Sequence, residues 1–323
     1  MSIRTSSSLL AAVQDDSPTN QDADRGVPIL QAAIKLMLTE FEITWRMLAD
    51  NIVGSFTPGL VFVVAACLRK HATSSELVLT LGKAIVLSGL YTYTFDALNQ
   101  ARGGDEDKIN KPHRPIPRGL ISPKSIMRRF WMASAIYAAS GWLFGVLEWA
   151  LLWTFTTVIM NVWCTPRHYF WCKTLCMMSG TWAQLSQAWQ LVEAPIDDTG
   201  RQWISFLALV FPFPLIFEDV RDMTGDKAIG RRTLALLLGA WPVRIWFATT
   251  TALLPALVHH HLFKPTEAAP WRVALCTAFV ASISWTAGAR STLLRTVSAD
   301  RVTYQIFIMI YIVVLSCGCI LWA

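Results

Sequence analysis

Long apolar runs, separated by short polar segments, constrain this chain more than any other feature. Of its 323 residues, 54% are hydrophobic and only 15% charged, and the charge is concentrated between the runs. A run of about 20 apolar residues matches the hydrocarbon thickness of a bilayer, and only helices or closed barrels satisfy their backbone there. The pattern therefore predicts an all-α membrane protein. Nine spans can be drawn, at approximately 45–68, 78–101, 125–145, 147–163, 170–192, 203–220, 233–258, 271–290 and 302–322. The division between the third and fourth rests on Glu148 and a turn at Gly145. An amphipathic stretch, Pro28–Glu42, precedes them and suits the membrane interface. Residues 1–27 are polar, lack the apolar core of a signal peptide and read as a disordered tail. The expected organisation is that tail followed by one nine-helix domain over 28–323.

The net charge of +6 is distributed in a way that argues against nucleic acid. Arg102, Lys108, Lys111, Arg114, Arg118, Lys124, Arg128 and Arg129 lie between or at the ends of the second and third spans, Arg167 and Lys173 at the start of the fifth, Arg221, Lys227, Arg231 and Arg232 after the sixth, and Arg290, Arg295 and Arg301 after the eighth. The opposite loops hold only Arg69, Lys70, Arg201, Lys264 and Arg272. Basic loops stay in the cytosol, which predicts a cytosolic N-terminus and a C-terminus on the far side. Seven cysteines occur without a CxxC pair and read as small hydrophobes.

Two acid-rich segments close apolar spans on the predicted cytosolic side. The first runs Asn99-Gln100-Ala101-Arg102-Gly103-Gly104-Asp105-Glu106-Asp107-Lys108-Ile109-Asn110-Lys111-Pro112 and the second Glu218-Asp219-Val220-Arg221-Asp222-Met223-Thr224-Gly225-Asp226-Lys227. If the second span stays helical, Asn99, Gly103 and Asp107 share one face, with Glu106 beside them and Asp96 a turn earlier. Asp105 falls off that face. Gly103-Gly104 can instead break the helix and swing Asp105, Glu106 and Asp107 inward. Asp219, Asp222 and Asp226 also share a helical face, where they repel one another unless a cation lies between them. One acidic stretch is ordinarily a solvated loop. Two at the same end of a membrane bundle point to a site, because charge there is costly. Oxygen ligands of this kind suit Mg²⁺ together with a diphosphate, and Lys111, Arg114, Arg221 and Lys227 can meet the remaining anionic charge. Arg46 either snorkels to headgroups or binds the diphosphate at the mouth. Lys83 snorkels, and His259-His260-His261 reads as an interfacial loop.

At these positions the chain resembles the UbiA superfamily of intramembrane prenyltransferases. The first segment is similar to the form NQxxDxxxDxxNKP through Asn99-Gln100, Asp107 and Asn110-Lys111-Pro112. The second matches DxxDxxGD through Asp219, Asp222, Gly225 and Asp226. Gly103 stands where the family usually has Asp, and Glu106 is the candidate replacement. That departure resembles a fungal branch that includes membrane-bound terpene cyclases of the bergamotene-synthase type.

The resemblance implies a central cavity with cytosolic cap loops, a place in the endoplasmic reticulum membrane, and Mg²⁺ as cofactor. It implies catalytic roles for Asn99, Asp107, Asp219, Asp222 and Asp226, with Glu106 joining them as metal ligands. Arg46, Lys111, Arg114, Arg221 and Lys227 are the implied diphosphate contacts. The implied reaction is ionisation and cyclisation of farnesyl diphosphate to a sesquiterpene. The alternative is prenyl transfer to an aromatic acceptor, which Gln184, Gln187 and Gln190 are placed to orient. Fifteen tryptophans, among them Trp142, Trp149, Trp153, Trp163, Trp171, Trp182, Trp189 and Trp285, offer cation–π surfaces or interfacial belts. A transporter predicts charges deep within spans and an internal repeat, and neither is evident. Oligomeric state is not legible.

Overall fold

A computed structural model describes the backbone of residues 21–323 and the side chains from residue 30 onward. The chain divides at Thr44 into two units. The described part of the first unit is the helical segment from Gln21, with Leu30, Leu36, Met37 and Phe41 exposed, as an interfacial helix requires. The expected disordered tail lies, for residues 1–20, outside the described residues. Gln21 to Val27 are helical.

The helices are α1 (Gln21–Leu48), α2 (Ile52–Ser55), α3 (Thr57–Arg69), α4 (Ser74–Asn110), α5 (Pro123–Leu143), α6 (Leu147–Val158), α7 (Tyr169–Gln190), α8 (Asp198–Val210), α9 (Pro212–Leu215), α10 (Glu218–Ala228), α11 (Leu234–Leu238), α12 (Ala240–Val258), α13 (Pro270–Leu293) and α14 (Val297–Leu321). Every described element is helical. Among the described residues four segments are long and apolar enough to cross a membrane, namely Ile52–Arg69, α4, α13 and α14. A fifth is counted if Asp198–Leu215 and Glu218–Ala228, bent by 59°, form one span. The count of nine is thus not met on length and composition. The reasons are local. α6 has 12 residues before a π-helical turn at Ile159–Trp163, and α7 carries Lys173, Gln184 and Gln187.

The drawn spans differ from the elements in instructive ways. The first is broken around Asn51 and Phe56. The broken backbone is repaired by Gln184, whose Nε2 donates to the Ser55 carbonyl, because a carbonyl freed at membrane depth needs a partner. The second span is longer than drawn and continues without interruption through the whole first acidic segment. It starts at a capping box, in which Thr73 and Glu76 satisfy each other's backbone N–H. The turn between α5 and α6 falls at Gly145, as expected, with φ of 75°.

Packing follows from the apolar faces. Phe62, Trp189, Trp203, Phe217, Phe247 and Phe307 are fully buried in one cluster. Phe62 and Trp189 rings lie 5.1 Å apart, and Phe217 stacks on Phe247 at 4.4 Å. A charged pair is buried among them. Arg244 of α12 donates to both carboxylate oxygens of Asp300 on α14, at 2.7 and 2.6 Å, and to the Ser291 carbonyl of α13 at 2.7 Å. At the end remote from the acidic motifs, Arg69 pairs with Asp197 at 2.7 Å and Lys70 with Glu193. All seven cysteines are free.

Candidate active site

The two acidic motifs meet because α10 packs against the last turns of α4. Asn110 is the contact. Its Nδ2 donates to the Asp222 carbonyl at 3.1 Å and its Oδ1 accepts from the Gly225 N–H at 3.2 Å. A Cβ at Gly225 would overlap the Asn110 carboxamide, so the close approach requires glycine.

The helical-face reading of the first motif holds and the broken-helix reading does not. α4 is continuous, and Asp107 and Glu106 are buried. Asp105 has its side chain 84% exposed and, among the described residues, pairs with Lys108. Gly103 is not in a left-handed conformation, and a Cβ there meets nothing nearer than Asp107 Oδ2 at 3.9 Å.

Each carboxylate of the site has a basic partner from a different segment. Arg114, itself buried, donates to both Asp107 oxygens at 2.9 and 3.1 Å and reaches Asn99 Oδ1 at 3.4 Å. Lys173 of α7 lies 2.6 Å from Asp219 and 3.0 Å from Glu218. Arg221 joins Glu218 at 2.6 Å and Asp222 at 3.1 Å, and rests on the Tyr304 ring at 4.6 Å. Arg231 bridges Glu106 and Asp226, the latter at 3.0 Å, and covers the Tyr169 ring at 4.1 Å. The repulsion expected within the Asp219, Asp222 and Asp226 stripe is thus offset by cations of the protein itself. Asp50 extends the network to Arg114 at 3.1 Å and to the His113 ring at 2.9 Å. Burial opposes charge on Asp50, yet Arg114, His113 and Lys111 outweigh it and hold its carboxyl below the usual range.

These groups wall a polar pocket with about 650 Å³ of empty space, part of it open to solvent. Its lining includes Asn99, Glu106, Asp219, Asp222 and Asp226, along with Lys111, Arg114, Lys173 and Arg231. Of the expected diphosphate contacts, Lys111 and Arg114 reach the wall. Arg221 stands behind it, holding Glu218 and Asp222. Lys227 is exposed on α10 and lies outside the lining. Its i+1 position after Asp226 turns it about 100° around the helix from that carboxylate, out of the pocket wall. Arg46 lies outside the lining too and reaches the His113 carbonyl at 3.5 Å. Sequence reasoning assigned Lys173 and Arg231 only to the basic loops. The signal available was a lone lysine one turn into an otherwise apolar span.

A second, mostly apolar cavity with about 910 Å³ of empty space adjoins the first. Asn51, Phe95, Met177, Leu215 and Tyr304 line both, so mouth and chamber share a throat. Along one wall Trp153 stacks on Tyr91 at 4.3 Å and on Phe95 at 5.4 Å, and its indole N–H donates to the Tyr91 carbonyl at 2.9 Å. Gly180 of α7 accommodates that wall, since a Cβ there would overlap the Trp153 ring. Of the tryptophans singled out in sequence, only Trp153 lines the chamber. Trp142, Trp163, Trp171 and Trp285 are exposed, where lipid or interface contacts account for them. Of the three glutamines, Gln184 lines the chamber, while Gln187 accepts from Tyr137 and Gln190 from Trp149.

The sequence pattern of the UbiA prenyltransferase family matches residues 58–311. The chain belongs to the UbiA family. It is an integral membrane protein of an enzyme family of prenyltransferases and terpene cyclases. It is 30% identical over 267 residues to somaliensene A/B synthase of Streptomyces somaliensis, covering 83% of this chain and 88% of that one. It is 33% identical over 206 residues to the diterpene cyclase eriG of Hericium erinaceus, covering 62% and 63%. The fumagillin beta-trans-bergamotene synthase of Aspergillus fumigatus is 29% identical over 183 residues, covering 53% and 59%. A UbiA homolog from Archaeoglobus fulgidus, solved with DMAPP and Mg²⁺, shares the fold with a TM-score of 0.56 at 13% identity over 85% of this chain and 99% of that one. The resemblance read from the two motifs, including its terpene-cyclase branch, is borne out.

The mouth of this UbiA protein suits a divalent metal in a particular way. Among the described residues no three Asp, Glu, His or Cys side chains are gathered into a ready cage. Mg²⁺ does not demand one, since it commonly takes one or two carboxylates and completes its octahedron with water and substrate phosphate. The lining supplies oxygen donors from five carboxylates and Asn99. Those five carboxylates slightly outnumber the four cations beside them. A diphosphate therefore needs countercharge of its own on entering.

Proposed function

We propose that this UbiA protein is a Mg²⁺-dependent, membrane-embedded terpene cyclase that ionises a prenyl diphosphate, farnesyl diphosphate in the first instance, and closes the resulting cation to a hydrocarbon. The observation that carries the reading is the shared throat: a charged mouth opens directly into an aromatic, mostly apolar chamber. That arrangement fits a molecule with an anionic head and an isoprenoid tail. The positive-inside bias favours a cytosolic mouth, where such diphosphates are soluble, and nine crossings with the short helices counted as spans.

The ion pairs of the mouth are partners to be exchanged. A bound diphosphate takes Lys111, Arg114, Lys173 and Arg231 as donors. The carboxylates they release, Asp107, Glu106, Asp219 and Asp226, with Asp222 and Asn99, then face the metal. Bound Mg²⁺ supplies Lewis-acid neutralisation of the departing diphosphate. The chamber excludes water, and Tyr91, Phe95 and Trp153 present ring faces to a cation moving along the folded chain. The similarity to a diterpene cyclase makes geranylgeranyl diphosphate the second chain length to consider. Transfer to an aromatic acceptor is the alternative, favoured by the family's prenyltransferase character and by Gln184 in the chamber wall.

The test is incubation of the purified protein with farnesyl or geranylgeranyl diphosphate and Mg²⁺ alone. A cyclic hydrocarbon is expected, and chelation should abolish it. Full turnover in excess chelator would remove the metal from the mechanism. Turnover only after an aromatic acid is added would make the protein a transferase.

A further inference from the structure

Asn51 occupies the throat, lining mouth and chamber alike, at the bend where the chain passes from α1 to α2. Its Nδ2 donates to Asp96 Oδ1 at 2.5 Å. Asp96 sits on α4 one turn before Asn99 and is completely buried. Its second oxygen, Oδ2, has no hydrogen-bond partner among the described residues. A buried carboxyl with half its capacity unused is costly to maintain. The bend does not need it, because Gln100 Nε2 already holds the Met47 carbonyl at 2.7 Å and Arg114 holds Asp50 at 3.1 Å. What Asp96 does provide is orientation. With the Asn51 amide N–H on Asp96 Oδ1, the amide oxygen faces away from Asp96.

We propose that Asp96 fixes Asn51 with its carbonyl oxygen toward the allylic cation formed at the throat. Asn51 is the catalytic group and Asp96 a positioning residue behind it. The inference rests on the prenyl-diphosphate reading above. With the head group among the mouth residues and the tail in the chamber, the carbon–oxygen bond that breaks lies at the throat. Its electron pair leaves with the diphosphate oxygen, and the allylic carbons carry the positive charge. Asn51 forms no bond. Its preoriented dipole meets charge that exists only after ionisation, so its effect falls on turnover rather than on substrate binding.

The experiment compares wild type, Asn51→Leu, Asp96→Asn and the exchange variant Asn51→Asp with Asp96→Asn. Release of inorganic diphosphate is measured from farnesyl diphosphate and Mg²⁺, with an aromatic acid present if wild type requires it. Each single variant is expected to lower kcat about a hundredfold, the scale for losing one preorganised dipole, with KM moving less than about threefold. The exchange variant, which rebuilds the hydrogen bond and again turns an oxygen to the throat, should recover most of the loss. Thermal stabilisation by a non-ionising thiolo analogue of the substrate identifies variants that still fold. If Asp96→Asn does not, Asn51→Leu decides. Single variants within about twofold of wild type, or a folded exchange variant as slow as they are, would overturn the proposal. Diphosphate release reports ionisation however the cation is consumed. Dependence on an acceptor therefore counts against cyclisation alone, and unchanged variants count against Asn51 and Asp96 alone.

Discussion

Gly103 is the residue at which this chain leaves the usual family pattern, and its surroundings decide between two accounts of it. Its backbone is helical and a Cβ has room, which speaks against a hinge and leaves the lost-ligand account as the one we propose. Glu106, buried and paired with Arg231 in the pocket wall, is the group able to compensate. Gly103→Asp is therefore expected to fold normally and to bind Mg²⁺ as well as wild type or more tightly, read from activity over a Mg²⁺ titration. Glu106→Gln should lower kcat at least tenfold, on the scale of removing one charge-stabilising group. A fully active Glu106→Gln would leave Gly103 uncompensated and the account wrong. The lysines offer a second comparison. Lys173→Met removes the partner of Asp219 and Glu218 and should cripple turnover, whereas Lys227→Ala, on the exposed side of α10, should stay within about twofold of wild type because surface positions away from such contacts are nearly neutral. Comparable losses in the two would contradict the pocket wall described here.

Among the elements, α4 and α10 form the mouth only as a pair, and the Asn110–Gly225 contact sets their distance. Gly225→Ala forces the Asn110 carboxamide to move. Overpacking of that kind costs about 1–3 kcal/mol, and here it also separates Glu106 from Asp226. The expected result is a lower melting temperature together with a larger loss of activity than the stability change explains, measured by thermal unfolding and product yield on the same samples. A stable, active Gly225→Ala would show that the motifs need not touch. Sequence made the acidic faces of both elements legible, because helical periodicity alone puts Asn99 with Asp107 and Asp219 with Asp222 and Asp226. It did not reveal that Asn110 and Gly225 interlock, since a contact across 115 positions leaves no local trace. Nor did it reveal the cations. Lys173 and Arg231 look like topology signals until the packing of α7 and the loop after α10 turns them inward.

For the whole molecule, the apolar runs announced a helical membrane protein, but the ends of individual helices were not legible where helices break or bend. The break at Asn51 and the 59° bend before α10 are lost to hydropathy because one or two polar residues beside a long apolar run do not lower its mean enough to show where a helix stops. The Arg244–Asp300 pair was missed because Arg244 sits within an apparent span, Asp300 just before another, and each is neutralised by a partner 56 positions away. Removing one member, as in Arg244→Met, should destabilise the protein by about 3–5 kcal/mol, seen in detergent as a large fall in melting temperature. Asp300→Asn added to Arg244→Met should recover part of it by relieving the unpaired carboxylate, and no recovery would mean that packing rather than charge was lost. The unbroken length of α4 has a consequence of its own. Thirty-seven residues make a rod of about 55 Å, well beyond a hydrocarbon core of about 30 Å. Asp107 rides on its final turn, so under the proposed function the helix would act as a gauge, lifting the ionising head of a lipid-like substrate out of oil and into the headgroup layer while its tail stays below. Bilayer thickness thereby becomes a variable of the enzyme: a thicker membrane draws the mouth toward the oil, where every uncompensated charge costs more.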